Sequence, residues 1–75
     1  MQIKVKLLTG REVAITVEPT DTVLKVKERV EEVQGIPVPQ QRVVFSGNVL
    51  KDDKTLEEIG LKHGSVVHLV LALRG

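Results

Sequence analysis

Met1, Ile3, Val5 and Leu7 alternate with Gln2, Lys4 and Lys6. A period of two belongs to a strand with one buried face, so the chain opens on a strand. Thr9-Gly10 supplies a turn, and Val13, Ile15 and Val17 resume the alternation against Glu12, Ala14, Thr16 and Glu18. The two strands make a hairpin whose register sets Lys6 opposite Glu12. Pro19 ends the second strand. Thr22 has the chemistry of an N-cap, and Val23, Val26, Val30 and Val33 follow at three- and four-residue spacing, the stripe of a half-buried helix. Lys25, Lys27, Glu28, Arg29, Glu31 and Glu32 form its solvated face, and Gly35 stops it. Ile36-Pro37-Val38-Pro39 is expected as an extended connection.

Gln41 to Phe45 alternates again, Ser46-Gly47-Asn48 makes a turn, and Val49-Leu50 reads as a short strand. Thr55 and Glu58 stand at capping-box spacing, which predicts a brief helical turn. Gly60 and Gly64 bracket a loop, and Ser65 to Leu73 forms the last and longest strand. The order is ββαββ, a helical turn, then β. One helix and about five strands pack most economically as an α+β domain, a mixed sheet with the helix across one face. Residues 1–75 read as one domain without repeats, low-complexity segments or linkers.

A single helix covers only one face of a sheet. Val43 and Phe45 point inward, so Arg42 and Val44 point out. On the last strand Val67 and Leu69 go in, leaving Val66, His68 and Val70 outside. The open face thus carries Val44, Val66 and Val70 around His68, with Arg42 close by. Contiguous apolar surface marks a protein-binding site. Valine is also a good strand former that needs no partner. Alternation alone leaves both readings open.

Composition narrows the choice of function. A chain of 75 residues buries only about 60% of its unfolded surface, and 41% hydrophobic with 28% charged residues suits a globular domain. No apolar run approaches the ~20 residues of a membrane span, and the N-terminus has no apolar core of a signal peptide. There is no cysteine, which excludes disulfides, thiolate metal sites and cysteine nucleophiles and suits the cytoplasm or nucleus. A net charge of +1, no Trp or Tyr and a single Phe45 give no footprint for nucleic acid. Nothing supplies a nucleophile with a base, a phosphate loop, a metal cage or a cofactor site, so an enzyme is not expected. His63 and His68 are the only histidines, and no acidic residue is motif-spaced with them.

The order of elements, "LTG" in the first turn, "EPTDTV" entering the helix, "GIP" leaving it, "QQR", "SG" and "HLVLALRG" resemble the ubiquitin-like modifiers from Met1 to Gly75. Lys4, Glu12, "KERVEE" at 27–32, Ser46, Lys54, Gly64-Ser65-Val66 and Ala72 are similar to the Nedd/Rub branch rather than to ubiquitin. The resemblance implies a β-grasp fold. It places Leu8, Val44, His68 and Val70 on the family's main recognition patch, with Val44 in place of an isoleucine, and makes His68 surface rather than ligand or base. Leu8, Ile36, Leu71 and Leu73 fall on a second patch beside the tail.

The tail Leu71-Ala72-Leu73-Arg74-Gly75 is, in that family, the reactive element. An activating enzyme adenylates the terminal carboxylate, passes it to a cysteine as a thioester, and conjugating enzymes and ligases deliver it to a lysine amine. Glycine suits the reacting end because a Cβ would obstruct approach. Leu71 and Leu73 anchor the strand, and Arg74 suits an acidic channel wall. The resemblance further implies deconjugating proteases and ubiquitin-binding domains as partners, a monomer, and a cytoplasmic and nuclear location. The active form in the family ends in two glycines, where this sequence shows one. A non-covalent ubiquitin-like domain of a larger adaptor or proteasome-shuttle protein, or an engineered scaffold, is therefore the alternative, and "GNVLKDDKTL" and "GSVVHLV" resemble such domains.

Arg11, Asn48 and His63 stand where ubiquitin carries its main chain-linking lysines, and none of the three can serve as an acceptor amine. Lys27 is expected beside the core and paired with Asp52. Ile59 replaces a tyrosine. Leu7, Leu24, Val33 and Val38 are expected to make the surface unusually apolar.

Overall fold

The computed structural model describes residues 1–72; Leu73, Arg74 and Gly75 of the expected tail lie outside the described residues. The alternation that opens the chain becomes β1, Gln2–Lys6, paired antiparallel with β2, Glu12–Thr16, and Lys6 stands opposite Glu12 as the register predicts. Gly10, at φ 90°, makes the turn between them possible, because a left-handed backbone excludes most residues with a Cβ.

The first helix, α1, covers Val23–Gln34. Thr22 caps it by accepting from the Lys25 amide, and Gly35 ends it at φ 73°. Its buried residues are Val23, Val26, Lys27 and Val30. Lys27, 8% exposed, stands beside the core and pairs with Asp52 as expected rather than on the solvated face, and Val33, 53% exposed, drops out of the predicted stripe. Positions 23, 26, 27 and 30 follow the i, i+3, i+4, i+7 spacing of one helical face, so geometry overrides side-chain polarity here.

Beyond α1 the expected extended connection tightens into a short 3-10 turn, Val38–Gln40, after Pro37 at φ −59°. A proline-fixed φ suits the start of a helical turn. Strand β3, Gln41–Phe45, then pairs with β4, Asn48–Val49. The strand Val49-Leu50 is thus displaced by one residue. The turn needs only Ser46 and Gly47, both at positive φ, 53° and 79°. Two left-handed central residues are the signature of the hairpin turn whose twist matches its strands.

Helix α2, Leu56–Ile59, carries the predicted capping box between Thr55 and Glu58. The carboxylate's pKa is held below its ordinary value, first by the Thr55 hydroxyl and next by the Thr55 amide. The two helix starts interlock. Val23 and Leu24 donate to the carbonyls of Lys54 and Asp52 at 2.9 and 3.1 Å, while Leu56 and Glu57 donate to Asp21 and Pro19 at 2.9 and 3.0 Å. Each lead-in loop thereby satisfies amides that the other helix cannot.

The last strand, β5, is Val66–Leu71, shorter at both ends than predicted. It runs parallel to β1 and antiparallel to β3, giving the mixed order β2-β1-β5-β3-β4. The core lies between this sheet and α1, with Ile3, Val5, Val23, Val30, Leu56 and Val67 fully sealed. Ile59, Phe45 and Leu7 pack against it from the edge. Leu7 and Val38 are thus half-buried, and of the four apolar residues expected on the surface only Leu24 and Val33 are exposed.

Candidate partner-binding surface and tail

Strand pairing brings the predicted surface residues together. On the face that α1 leaves open, His68 stands between Lys6 of β1 and Val44 of β3, and Val70 stands opposite Arg42. Val44 in turn faces Val49 of β4. One row therefore crosses all five strands as Glu12, Lys6, His68, Val44 and Val49. Val66 and Val70 are each 38% exposed beside it. The expectation for Arg42, Val44, His68 and Val70 holds as geometry: they are adjacent and face outward.

Val49, 59% exposed, was not anticipated. It carries the apolar row to the edge of the sheet. A three-residue turn at 46–48 would pair Val49 with Phe45 on the core face, whereas the two-residue turn pairs it with Val44 on the open one.

The three central strands of this face are cationic, and its carboxylate, Glu12, stands on the edge strand β2. The outward residues of β1, β5 and β3 are Gln2, Lys4, Lys6, Val66, His68, Val70, Arg42 and Val44, with three permanent cations and no carboxylate. Glu28, Glu31, Glu32, Asp52, Asp53, Glu57 and Glu58 lie on or beside the helices instead.

Leu8, 72% exposed, belongs to the loop after β1 rather than to the sheet face. Together with Leu7, Thr9, Ile36, Leu69 and Leu71 it lines a groove of about 140 Å³. Leu8, Ile36 and Leu71 of the expected second patch line this one groove, while Leu73 falls outside the described residues. Leu71 and Val70 point to opposite sides of β5, so the groove and the open-face patch meet at the end of this strand.

At the start of the tail, Leu71 is the last residue of β5, opposite Gln41, and the Ala72 amide donates to the Gln40 carbonyl at 2.7 Å. Gln41 itself is buried. Its Nε2 donates to the carbonyls of Lys27 and Ile36 at 2.9 and 2.8 Å, and its Oε1 has no partner among the described residues. Sequence pattern gave no sign of this, because polar residues at strand starts are ordinarily solvated.

Neither histidine sits in a ligand constellation. The His63 Nδ1 accepts from the Gln2 amide at 3.0 Å, and His68 is part of the open face. Among the described residues no group of three or more His, Asp or Glu side chains could hold a metal ion. No helix among them is long and apolar enough to cross a membrane.

A five-stranded mixed sheet wrapped over one principal helix is the β-grasp fold. Residues 3–74 match the ubiquitin family, and the chain belongs to that family. It is 56% identical to ubiquitin-like protein NEDD8 of Dictyostelium discoideum over 75 residues, which are the whole of this chain and 97% of that protein. It is 53% identical to NEDD8-like protein RUB3 of Arabidopsis thaliana, again over the whole chain and 96% of the relative. Ubiquitin domain-containing protein DSK2 of Saccharomyces cerevisiae is 39% identical over 71 residues, covering 93% of this chain but only 19% of that protein. The Nedd/Rub likeness expected from the motifs is borne out.

Proposed function

We infer that this chain is a ubiquitin-like modifier, one domain over 1–75 whose segment Leu71–Gly75 is activated at a C-terminal glycine and joined to substrate lysines. The observation that carries the reading is the end-to-end match to a NEDD8 protein, 97% of whose length this chain covers at 56% identity. The chemistry is acyl transfer. The carboxylate attacks the α-phosphorus of ATP and releases pyrophosphate. A cysteine thiolate of the activating enzyme displaces AMP, and a lysine amine finally displaces the thiolate to leave an isopeptide bond. The chain itself is substrate rather than enzyme in each step.

Its own residues serve recognition. Arg42, Val44, His68 and Val70 form the face that ubiquitin-binding domains read, and Leu8, Ile36 and Leu71 form the groove beside the tail. Arg74 pairs with acidic groups of the enzyme channel. Activating and conjugating enzymes, ligases and deconjugating proteases are the partners, and a monomer in the cytoplasm and nucleus is the working form.

A reconstituted reaction with ATP, the Nedd/Rub activating and conjugating enzymes and a lysine acceptor tests this. Thioester followed by isopeptide product supports the modifier. A chain carrying the full terminal glycine pair that forms neither would transfer the reading to the alternative, a non-covalent domain of a larger adaptor or proteasome-shuttle protein or an engineered scaffold.

A further inference from the structure

Besides the turn residues Leu7, Leu8 and Thr9, the groove has walls from two further parts of the fold, Ile36 from the segment after α1 and Leu71 from β5. Apolar contact between such walls is non-directional, so it does not by itself fix their spacing. Gln41 touches both. Its backbone stands opposite Leu71 in the β3–β5 ladder. Its Nε2 donates to the Ile36 carbonyl at 2.8 Å and to the Lys27 carbonyl at 2.9 Å. One residue therefore spans from the tail strand to the far wall and on to the helix.

The side chain is costly where it stands. Gln41 is 2% exposed, and its Oε1 is buried without a donor. An unsatisfied amide oxygen opposes folding. An apolar side chain of similar volume would fill the space without that cost. It would also take the donor away from the Ile36 and Lys27 carbonyls, so what the amide contributes in return for its stranded oxygen is two directional bonds to separate parts of the fold.

We propose that Gln41 is a positioning residue that sets the spacing between Ile36 and Leu71, and with it the width of the groove that a partner's apolar side chain enters. The proposal rests on the reading of this groove as a partner site. Gln41 acts from beneath, through the two walls. Without its Nε2 the Ile36 carbonyl loses its tether to β3, while the isoleucine side chain keeps only its packing against the core.

The test uses Gln41→Leu together with Gln41→Met, whose unbranched chain fills the same space with less strain. In the free protein, methyl cross-relaxation between Ile36 and Leu71 should weaken in both variants, while that within the core around Val26 and Leu56 holds. In thioester formation with the Nedd/Rub activating enzyme, parent and variants all carrying the terminal glycine pair, KM should rise on the order of fivefold at unchanged kcat, the mark of lost uniform binding. Binding at the Val70 face should stay as it was. A merely structural role would lower Tm without separating KM from kcat or one face from the other. Unchanged Ile36–Leu71 cross-relaxation overturns the proposal whatever the enzyme assay gives. So does loss of the fold in both variants, since the amide would then act on stability as a whole. Weakened cross-relaxation with an unmoved KM upholds the positioning and overturns the groove as a site for the activating enzyme.

Discussion

Lys27 and Asp52 tie α1 to the loop before α2 through a 2.6 Å ion pair whose lysine side chain is 11% exposed and whose aspartate is 52% exposed. The asymmetry decides the energetics. A wholly buried pair loses 3–5 kcal/mol when one partner goes, and a surface pair well under 1. With one end wet, Asp52→Ala should cost about 1–2 kcal/mol in urea unfolding. Asp53→Ala, next door and without an ion-pair partner among the described residues, should stay within about 0.5 kcal/mol. Equal losses would show that the pair contributes nothing particular.

The same burial removes Lys27 from the acceptor lysines. In a conjugation reaction supplied with ubiquitin, attachment is expected on the exposed Lys4, Lys6, Lys25, Lys51, Lys54 or Lys62. Extensive modification of Lys27, read by mass spectrometry, would mean that the helix face opens in solution.

Lys27 also shows where sequence pattern runs out. The ends of α1 were plain in Thr22 and Gly35, and the hairpin register in the Lys6–Glu12 pair, because each depends on neighbours in sequence. The expected pairing of Lys27 with Asp52 spans 25 residues, and it does not come from the periodicity of apolar residues, which selects no lysine. Gln41 is the same case, with acceptors on Lys27 and Ile36. The open face followed from alternation, since Val44, His68 and Val70 each sit one residue from a core position. The groove needed three separate segments to converge. Only the family resemblance, not the local pattern, placed Leu8, Ile36 and Leu71 together.

Glu58 makes stability depend on acid. Its folded pKa lies below the ordinary value because the Thr55 hydroxyl and amide hold the carboxylate. The stabilisation is therefore complete above the ordinary carboxylate range and is lost as pH falls through the folded pKa. Glu58→Gln should be less stable than the parent at neutral pH, and the gap should close on acidification. A gap that widens on acidification has the wrong sign for this mechanism.

Ser46 is the one non-glycine residue at positive φ among the described residues. Glycine removes the Cβ penalty but adds unfolded-chain entropy, so Ser46→Gly should gain at most about 1 kcal/mol. Ser46→Val, β-branched at a left-handed position, should lose about 1–2 kcal/mol. Chemical denaturation ranks the three. Valine at least as stable as glycine would mean that the turn adopts another conformation.

The open face should bind a small helical ubiquitin-recognising domain weakly, as interfaces of this size do. Val70→Asp should reduce affinity at least about tenfold, as expected for a central contact. Val49→Asp should cost roughly threefold if the apolar row truly extends to β4. Val33→Asp, on the helix side, serves as the unaffected control. NMR shifts that cluster on α1 instead of the sheet would sink the assignment.

Ala72 is expected to govern which activating enzyme loads the tail. Its amide is fixed to the Gln40 carbonyl at 2.7 Å, so a larger side chain here would start from a fixed point beside β3. The family resemblance puts an arginine at this position in ubiquitin, where the long cation is complementary to the ubiquitin-activating enzyme. An activating enzyme built for alanine would have to bury an unpaired guanidinium or exclude it. Discrimination of this kind works through an unfavourable contact as well as a favourable one. Leaving a charge buried and unpaired costs several kcal/mol, on the order of 10²-fold or more in specificity. With the terminal glycine pair in place, this chain should be charged by the Nedd/Rub activating enzyme and poorly by the ubiquitin one, and Ala72→Arg should shift the preference toward the latter. A chain ending at Gly75 should be charged badly by both, because its carboxylate stops one residue short of the adenylate site. Thioester formation with each enzyme measures the preference, and equal charging of the parent and Ala72→Arg by both enzymes would remove Ala72 from the account of specificity.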